Sequence, residues 1–262
     1  MLHLHRLTIG YRSRIVAHSL TATLPPASLT ALIGRNGSGK STLLRTVCGL
    51  QRPLAGKVSI TDAEGKECQT GPKTVAVVLP PSRYQAPALT VEDTVALGRL
   101  PYTDLTGRLT VADHHAIDHA IELCQIASLR QRMLHTLSDG ERQRVMLARA
   151  LAQDTPVIIL DEPSAFLDYS ARMQVMMLLR HLCDTAQKTI LFSTHDLETA
   201  LPAVDRVWAM EAATDNHAQT ASTLKEDTPQ NLIADGIIHR IFPEFNHQNL
   251  TAFHSPKSSL SS

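Results

Sequence analysis

Short runs of apolar residues alternate along the chain with longer stretches in which apolar residues recur at helical spacing. The short runs predict β-strands at residues 2–9, 20–24, 29–33, 74–79, 157–160, 189–193 and 206–210. The longer stretches predict helices at residues 41–50, 90–97, 111–132, 138–152 and 169–186. Strands that alternate with helices favour an α/β fold, in which a mostly parallel central sheet is covered on both faces.

Three regions stand apart from this alternation. The first 33 residues contain closely spaced strand patterns, which predicts an N-terminal antiparallel β portion. Residues from about 82 to 152 lack a strand pattern, which predicts a helical subdomain inserted into the α/β core. Residues 246–262 are rich in Ser and Asn, which favours a flexible tail behind a single domain at 1–245.

Composition narrows the possible functions. The 262 residues are 43% hydrophobic, which is enough to bury a substantial core. Twenty-five basic and 25 acidic residues give a net charge of zero, which argues against a globally basic nucleic-acid binder, although a local basic patch stays possible. No nucleic-acid partner is expected. Four widely spaced cysteines form no C-x-x-C pair, which favours reduced thiols. Because no window holds eighteen uncharged apolar residues, we expect any membrane role to come through a partner.

One segment matches the pattern G-x-x-x-x-G-K-[ST], which cradles nucleotide phosphates. It follows a predicted strand, opens a predicted helix and reads Gly34, Arg35, Asn36, Gly37, Ser38, Gly39, Lys40 and Ser41. Glycines let backbone N–H groups turn towards a polyphosphate, and the helix adds the positive end of its dipole. Lys40 would reach the β- and γ-phosphates, and Ser41 would bind Mg²⁺. The alternative is a glycine turn that matches the pattern by chance.

Two carboxylates follow the apolar strand at residues 157–160. Asp161 and Glu162 would lie at the carboxyl edge of the sheet, where ligands of α/β proteins bind. Asp161 would orient Mg²⁺ through its water shell, and Glu162 would polarise the water that attacks the γ-phosphorus. Taken alone, the pair also fits an acidic turn at a strand end.

A second helix start carries an anion-binding pattern. Ser138 and Glu141 form an S-x-x-E capping box around Asp139 and Gly140. This pattern is typical of a well-capped helix. It also predicts a second anion site, because Ser138 and the Gly140 amide are exposed at the positive end of the helix.

In this order, the motifs resemble those of ATP-binding cassette (ABC) ATPases, the nucleotide-binding subunits of membrane transporters. The resemblance identifies the segment that ends at Thr42 as the Walker A motif and residues 157–162 as the Walker B motif. Residues 137–141 correspond to the family signature, with Asp139 where the family usually has glycine. It implies a P-loop NTPase fold and ATP hydrolysis that depends on ATP and Mg²⁺.

Three single residues gain a role through this resemblance. Asp168 corresponds to a residue of the D-loop, His195 to the switch histidine that contacts the γ-phosphate, and Tyr11 to the aromatic residue that stacks on adenine. Considered alone, His195 also fits a histidine satisfied in the core, and Tyr11 also fits a surface aromatic at a strand end.

The resemblance also implies partners and a location. Two chains would close head to tail as a homodimer, so that the signature of one completes the site of the other. Transmembrane permease subunits would hold the dimer on the cytoplasmic, inner face of the cell membrane, and a substrate-binding protein would take part indirectly. Residues 89–93 and 97–102 resemble the ATPases of iron–siderophore, haem and cobalamin importers. The surface around residues 81–99 would receive a coupling helix of the permease.

One position departs from the family pattern. Pro81 occupies the place of the Q-loop glutamine, and its side chain has neither donor nor acceptor. Gln85 is the nearest replacement, and the alternative is that Glu162 and His195 suffice. We predict slower basal hydrolysis or an altered metal dependence.

Other interpretations stay open at this point. A nucleotide-gated clamp with little hydrolysis would also explain the missing glutamine, and a soluble ABC ATPase that acts outside transport would carry the same motifs. A further pattern consists of histidines one helical turn apart, which fits a metal site but fits a solvated helix face better: His114, His115, Asp118 and His119.

Overall fold

The computed structural model describes residues 1–12, 14–61, 65–79, 88–104, 106–212 and 221–246. Pro81 and Gln85 lie outside these residues, as does the predicted tail beyond Asn246. The consequences predicted for Pro81, and the domain boundaries, therefore stay predictions.

Ten strands form within the described residues. They are β1 (Leu2–Tyr11), β2 (Arg14–Leu24), β3 (Leu29–Gly34), β4 (Ala55–Thr61), β5 (Glu67–Cys68), β6 (Val75–Val78), β7 (Val157–Leu160), β8 (Thr189–Ser193), β9 (Arg206–Glu211) and β10 (Thr223–Asp227). One sheet has the order β2-β1-β4-β5 and its strands pair antiparallel. The other has the order β10-β9-β3-β8-β7-β6 and is parallel except where β10 pairs with β9.

Eight helices connect and cover the strands in the described part of the chain. They are α1 (Lys40–Val47), α2 (Val91–Ala96), α3 (Val111–Leu123), α4 (Asp139–Ala152), α5 (Tyr169–Thr185), α6 (Leu197–Ala200), α7 (Pro229–Ala234) and α8 (Ile237–Ile241). Short 3-10 turns lie at Leu97–Tyr102, Ala127–Leu129 and Leu134–Thr136. Among the described residues, none of the helices is long and apolar enough to cross a membrane.

Both faces of the parallel sheet are buried, as the sequence predicts. In β7, Ile158 and Leu160 point into the cluster under the helices, whereas Val157 and Ile159 belong to the second cluster, which the antiparallel sheet and α1 share. Trp208 of β9 is fully buried in that second cluster. The α/β fold with a mostly parallel sheet and an N-terminal antiparallel portion is confirmed.

The helical segment between β6 and β7 is fixed by caps and one buried ion pair. Threonine caps begin α2 and α3 through capping boxes. Arg99 Nε lies 2.8 Å from Asp113 Oδ1, and Arg99 Nη1 donates to the Ala152 carbonyl at 2.8 Å. The guanidinium therefore ties the 3-10 turn at Leu97–Tyr102 to the start of α3 and the end of α4.

Some element bounds differ from those predicted. The helix expected over residues 111–132 ends at Leu123, because the chain turns through Gln125, whose φ is +55°. The structure also contains elements that the pattern does not predict: β4, β5, β10 and the short helices α6, α7 and α8.

Candidate active site

The loop between β3 and α1 needs glycine for steric reasons. A Cβ on Gly34 would lie 2.6 Å from Ser38 Oγ and 2.7 Å from the Met210 carbonyl oxygen. Gly39 has a φ of +101°, and a Cβ there would lie 2.4 Å from Val16 Cγ1. The loop is therefore packed against β9 and β2, and its glycines allow the backbone to curve before α1 begins.

Lys40 points back into this loop. Its Nζ donates to the carbonyl oxygens of Gly34 at 2.6 Å and Arg35 at 3.2 Å. Burial lowers the pKa of the Lys40 ammonium, while the nearby carboxylates of Glu162 and Asp161 act in the opposite direction. Among the described residues the hydrogen bonds of this ammonium go to carbonyl groups, and a desolvated cation held in this way is suited to exchange these partners for an anion.

Ser38 adds a second sign of an anion site. Its Oγ is buried and has no hydrogen-bond partner among the described residues. A buried hydroxyl without a partner is costly, so its presence inside a loop of this shape fits a ligand oxygen.

Asp161 and Glu162 follow β7 and are held by β8. The Ser193 hydroxyl donates to Asp161 Oδ1 at 2.7 Å and accepts the Glu162 N–H at 2.9 Å. The Asp161 N–H donates to the Val78 carbonyl at 2.9 Å. Glu162 has a φ of +50°, an uncommon conformation for a residue with a side chain. Ser193 thus fixes both carboxylate residues at the carboxyl edge of the sheet.

His195 lies beside Glu162. Its Nδ1 is 3.7 Å from Glu162 Oε1, and its side chain is 64% exposed. The interpretation as a core histidine is therefore wrong, because the ring borders solvent next to the carboxylate.

The glycine loop, Lys40 and Glu162 border one cleft of about 630 Å³, which is within the usual size range of ligand pockets, whereas Asp161 and His195 are not among its lining residues. Tyr11 lies at the tip of the β1–β2 hairpin, where it pairs with Arg14. The cleft is lined by Tyr11, Arg14, Ile15, Val16, Asn36, Gly37, Gly39, Lys40, Ser41, Thr42, Glu162, Ala212 and Ser222.

The residues of the predicted second anion site lie in another cleft. Ser138 caps α4: its hydroxyl accepts the Glu141 N–H at 3.3 Å, and its N–H donates to Glu141 Oε2 at 2.8 Å. Asp139 is paired with Arg142 at 2.9 Å. This second cleft of about 450 Å³ is lined by residues 138–141 together with Asp168 and the start of α5. Within one chain, the structure does not bring the two groups of predicted site residues together.

Sequence reasoning missed several residues of the site, among them Val16, Arg14 and Ser193. Val16 and Arg14 line the first cleft, and Ser193 supports both carboxylates. Ser193 left a usable signal, since it is the polar end of an apolar strand that precedes His195. The histidine pattern on α3 lies on a solvent-exposed helix face, which is the interpretation that the sequence favours over a metal site. His114, His115 and His119 are exposed, and Asp118 pairs with Arg130.

Comparison with known proteins decides the family. The family described as ABC transporter matches the chain over residues 17–165, which is more than half of its length. The chain belongs to the ABC transporter family. As an ABC ATPase it has curated relatives along most of its length. The achromobactin transport ATP-binding protein of Dickeya dadantii is 34% identical, with 90% of this chain and 85% of that protein covered. The iron(3+)-hydroxamate import ATP-binding protein of Bacillus subtilis is 33% identical, with 90% and 86% covered.

Solved structures show the same fold. A dimeric ATP-binding cassette in a post-hydrolysis state, bound to ADP and Pi, superimposes on this ABC ATPase with a TM-score of 0.67 at 22% identity. The match covers 87% of this chain and 99% of that one. The family match and the curated relatives confirm the resemblance to ABC ATPases and the activity as a transport ATPase, and the solved structure confirms the fold class. The roles of single residues stay predictions.

Proposed function

We propose that the 630 Å³ cleft binds ATP with Mg²⁺ and that Glu162 promotes its hydrolysis. One observation carries this proposal: the glycine loop with Lys40 and the carboxylate of Glu162 border the same cleft. Backbone N–H groups from Gly34 to Thr42 and the Lys40 ammonium would hold the phosphates, and Tyr11 would stack on the base.

The residues present fit Mg²⁺. Mg²⁺ prefers hard oxygen ligands and retains several waters, which suits the Ser41 hydroxyl and, through water, the Asp161 carboxylate. The unpartnered Ser38 hydroxyl fits an anionic oxygen nearby. When bound, Mg²⁺ would neutralise part of the charge that the phosphates carry.

The side chains then have distinct tasks. Lys40 would release its two carbonyl partners to contact phosphate oxygens. Glu162 would accept a proton from the attacking water, and His195 would donate a hydrogen bond to the γ-phosphate. The short distance between His195 and Glu162 supports a shared task at this end of the cleft.

We extend the proposal to the assembly. Two copies would face each other, so that Ser138 to Glu141 and Asp168 of one copy close over the nucleotide of the other. Exposure of Phe166, 78% accessible beside this second cleft, supports such a contact. The names of the two curated relatives support a role in the import of an iron–siderophore-type cargo. In that role the dimer would bind transmembrane permease subunits at the inner face of the membrane, and a substrate-binding protein would take part indirectly.

A Glu162→Gln variant tests the catalytic part. We expect steady-state ATPase activity to fall by about 10²- to 10⁴-fold, because the base is lost, while ATP still binds. Size-exclusion chromatography with ATP and Mg²⁺ should then show a dimer. Glu122→Gln, an exposed acid on α3, is the matched control and should keep full turnover. Turnover of Glu162→Gln within a few fold of the parent would contradict the proposal.

The transport part needs a separate test. Affinity capture of the tagged chain from membranes should retain a polytopic membrane protein. Cells that carry Glu162→Gln should lose uptake of a radiolabelled ferric hydroxamate while the protein stays in the membrane fraction. Normal uptake in such cells would exclude this cargo class.

A further inference from the structure

Asp196, the residue after His195, makes hydrogen bonds with three other residues. Its N–H donates to Thr194 Oγ1 at 3.0 Å, and its Oδ1 accepts the Thr199 N–H at 3.2 Å, which caps α6. Its Oδ2 accepts a hydrogen bond from Arg172 Nη1 at 2.9 Å. The Asp196 side chain is only 13% exposed and the Arg172 side chain 36%, so the carboxylate of this ion pair is shielded from solvent while the arginine is partly exposed.

Arg172 belongs to the first turn of α5. Its backbone N–H donates to the Asp168 carbonyl at 2.9 Å, which fixes the base of the side chain. Its Nε is buried and has no partner among the described residues. A buried guanidinium nitrogen without a partner costs free energy, so its retention points to a role other than stability.

His195 itself is held mainly by its backbone. Its side chain is 64% exposed, so packing does little to fix the ring. On the N-terminal side, the Thr194 N–H donates to the Leu32 carbonyl at 3.1 Å. On the C-terminal side, the hydrogen bonds of Asp196 hold the segment, and its ion pair with Arg172 links the segment to the long helix α5.

We propose that Arg172 is a positioning residue for hydrolysis, because its ion pair with Asp196 holds His195 beside Glu162. The inference rests on the proposed function, since it requires His195 and Glu162 to act on the nucleotide. The cap of α6 does not need Arg172, because Thr199 bonds the other carboxylate oxygen of Asp196. Loss of the ion pair would therefore leave α6 in place and loosen the segment around the imidazole.

Arg172→Met removes the charge and keeps most of the side-chain volume. We expect kcat to fall about tenfold, because small displacements of catalytic groups have effects of this size, while KM and the calorimetric Kd for ATP stay within twofold. Arg172→Lys should restore part of the rate. The matched control is Arg180→Met, which removes another ion-paired arginine of α5, bound to Asp184 and Asp205. It should lower Tm and leave kcat unchanged.

A double-mutant cycle separates positioning from a general structural effect. In a His195→Ala background, measured by single-turnover assays with radiolabelled ATP, Arg172→Met should cause no further loss. An equal loss in both backgrounds, or a kcat of Arg172→Met within twofold of the parent, would overturn the inference. If Arg172→Met does not fold, Asp196→Asn keeps the cap acceptor, removes the charge and should show the same loss of kcat.

Failure of this inference differs from failure of the proposed function. If Glu162→Gln retains turnover, the proposed function fails. If Glu162→Gln is inactive while Arg172→Met is fully active, only the positioning role of Arg172 is wrong.

Discussion

Replacement of Ser193 by alanine tests how the two carboxylates are held. The Ser193 hydroxyl is fully buried and makes two hydrogen bonds, one to the Asp161 carboxylate and one from the Glu162 amide. Ser193→Ala removes both without adding volume. The Asp161 carboxylate is partly exposed, so water can replace its lost donor, whereas the Glu162 N–H loses its acceptor.

The expected cost follows from these contacts. A buried donor left without a partner costs about 1–3 kcal/mol, and the bond to Asp161 adds little once water replaces it. We therefore expect Ser193→Ala to lower the free energy of unfolding by about 2 kcal/mol, which corresponds to a decrease in Tm of about 4–8 °C for a domain of this size. Because Glu162 sits at a φ of +50°, its carboxylate should also become less well placed, with about a tenfold lower kcat.

Urea unfolding followed by circular dichroism, together with an ATPase assay, measures both effects. Thr30→Val in the neighbouring strand β3 is the matched control, because its buried Oγ1 has no partner in the described structure. Removal of that hydroxyl should be neutral or stabilise by up to about 1 kcal/mol. The reasoning is refuted if Ser193→Ala costs less than about 0.5 kcal/mol, or if Thr30→Val destabilises the protein as much as Ser193→Ala does.

Three further results are expected. Gly39→Ala should weaken ATP binding in calorimetry by at least tenfold, because a Cβ there would clash and φ is +101°; unchanged affinity would contradict this. Arg99→Met should lower the free energy of unfolding in urea by about 3 kcal/mol, since it leaves Asp113 buried without its cation. The Thr110 hydroxyl and amide, and then Arg99, lower the pKa of Asp113 to about 2 from 3.8. The pKa of Asp113 is lower in the folded state than in the unfolded state, so this stabilisation is present above about pH 4 and is lost as the pH falls towards 2. Thr110→Ala should reduce the free energy of unfolding that is lost over this pH range.

The sequence predicts the parts of the fold that depend on strong local patterns. The strand at residues 157–160 appears with the same bounds in the structure, because four consecutive apolar residues fit a strand in a sheet that is covered on both faces. The glycine loop and the helix after it also lie where the motif places them. Such segments carry their structural information within a few residues.

Other elements depend on partners distant in the chain. Strand β10 contains Lys225, Glu226 and Asp227, which are poor strand formers, and it forms through pairing with β9. The helices α7 and α8 are split by Gly236 at a φ of +69°, which a periodicity count does not detect. These elements are products of tertiary contact and could not be predicted from the local pattern.

The residues of the candidate site also fall into those that local sequence predicts and those that depend on tertiary contact. Lys40 and Glu162 could be predicted as site residues because their proposed roles require fixed residue types at fixed spacing. Ser193 left a trace as the polar end of an apolar strand, but its contacts with both carboxylate residues, and the contact of Arg172 with Asp196, could not be predicted, because they depend on which strands and helices become neighbours in space. Contacts of this kind become visible only once the sheet order is known.

The position of the single tryptophan offers a practical advantage. Trp208 is buried in the cluster that contains Leu43, Leu44 and Val47 of α1, the helix that begins in the glycine loop. We therefore expect its intrinsic fluorescence to respond to changes in the packing of that helix, with no dye and no added label. Stopped-flow mixing with nucleotide can follow this emission in real time, and the same signal serves every variant that keeps Trp208.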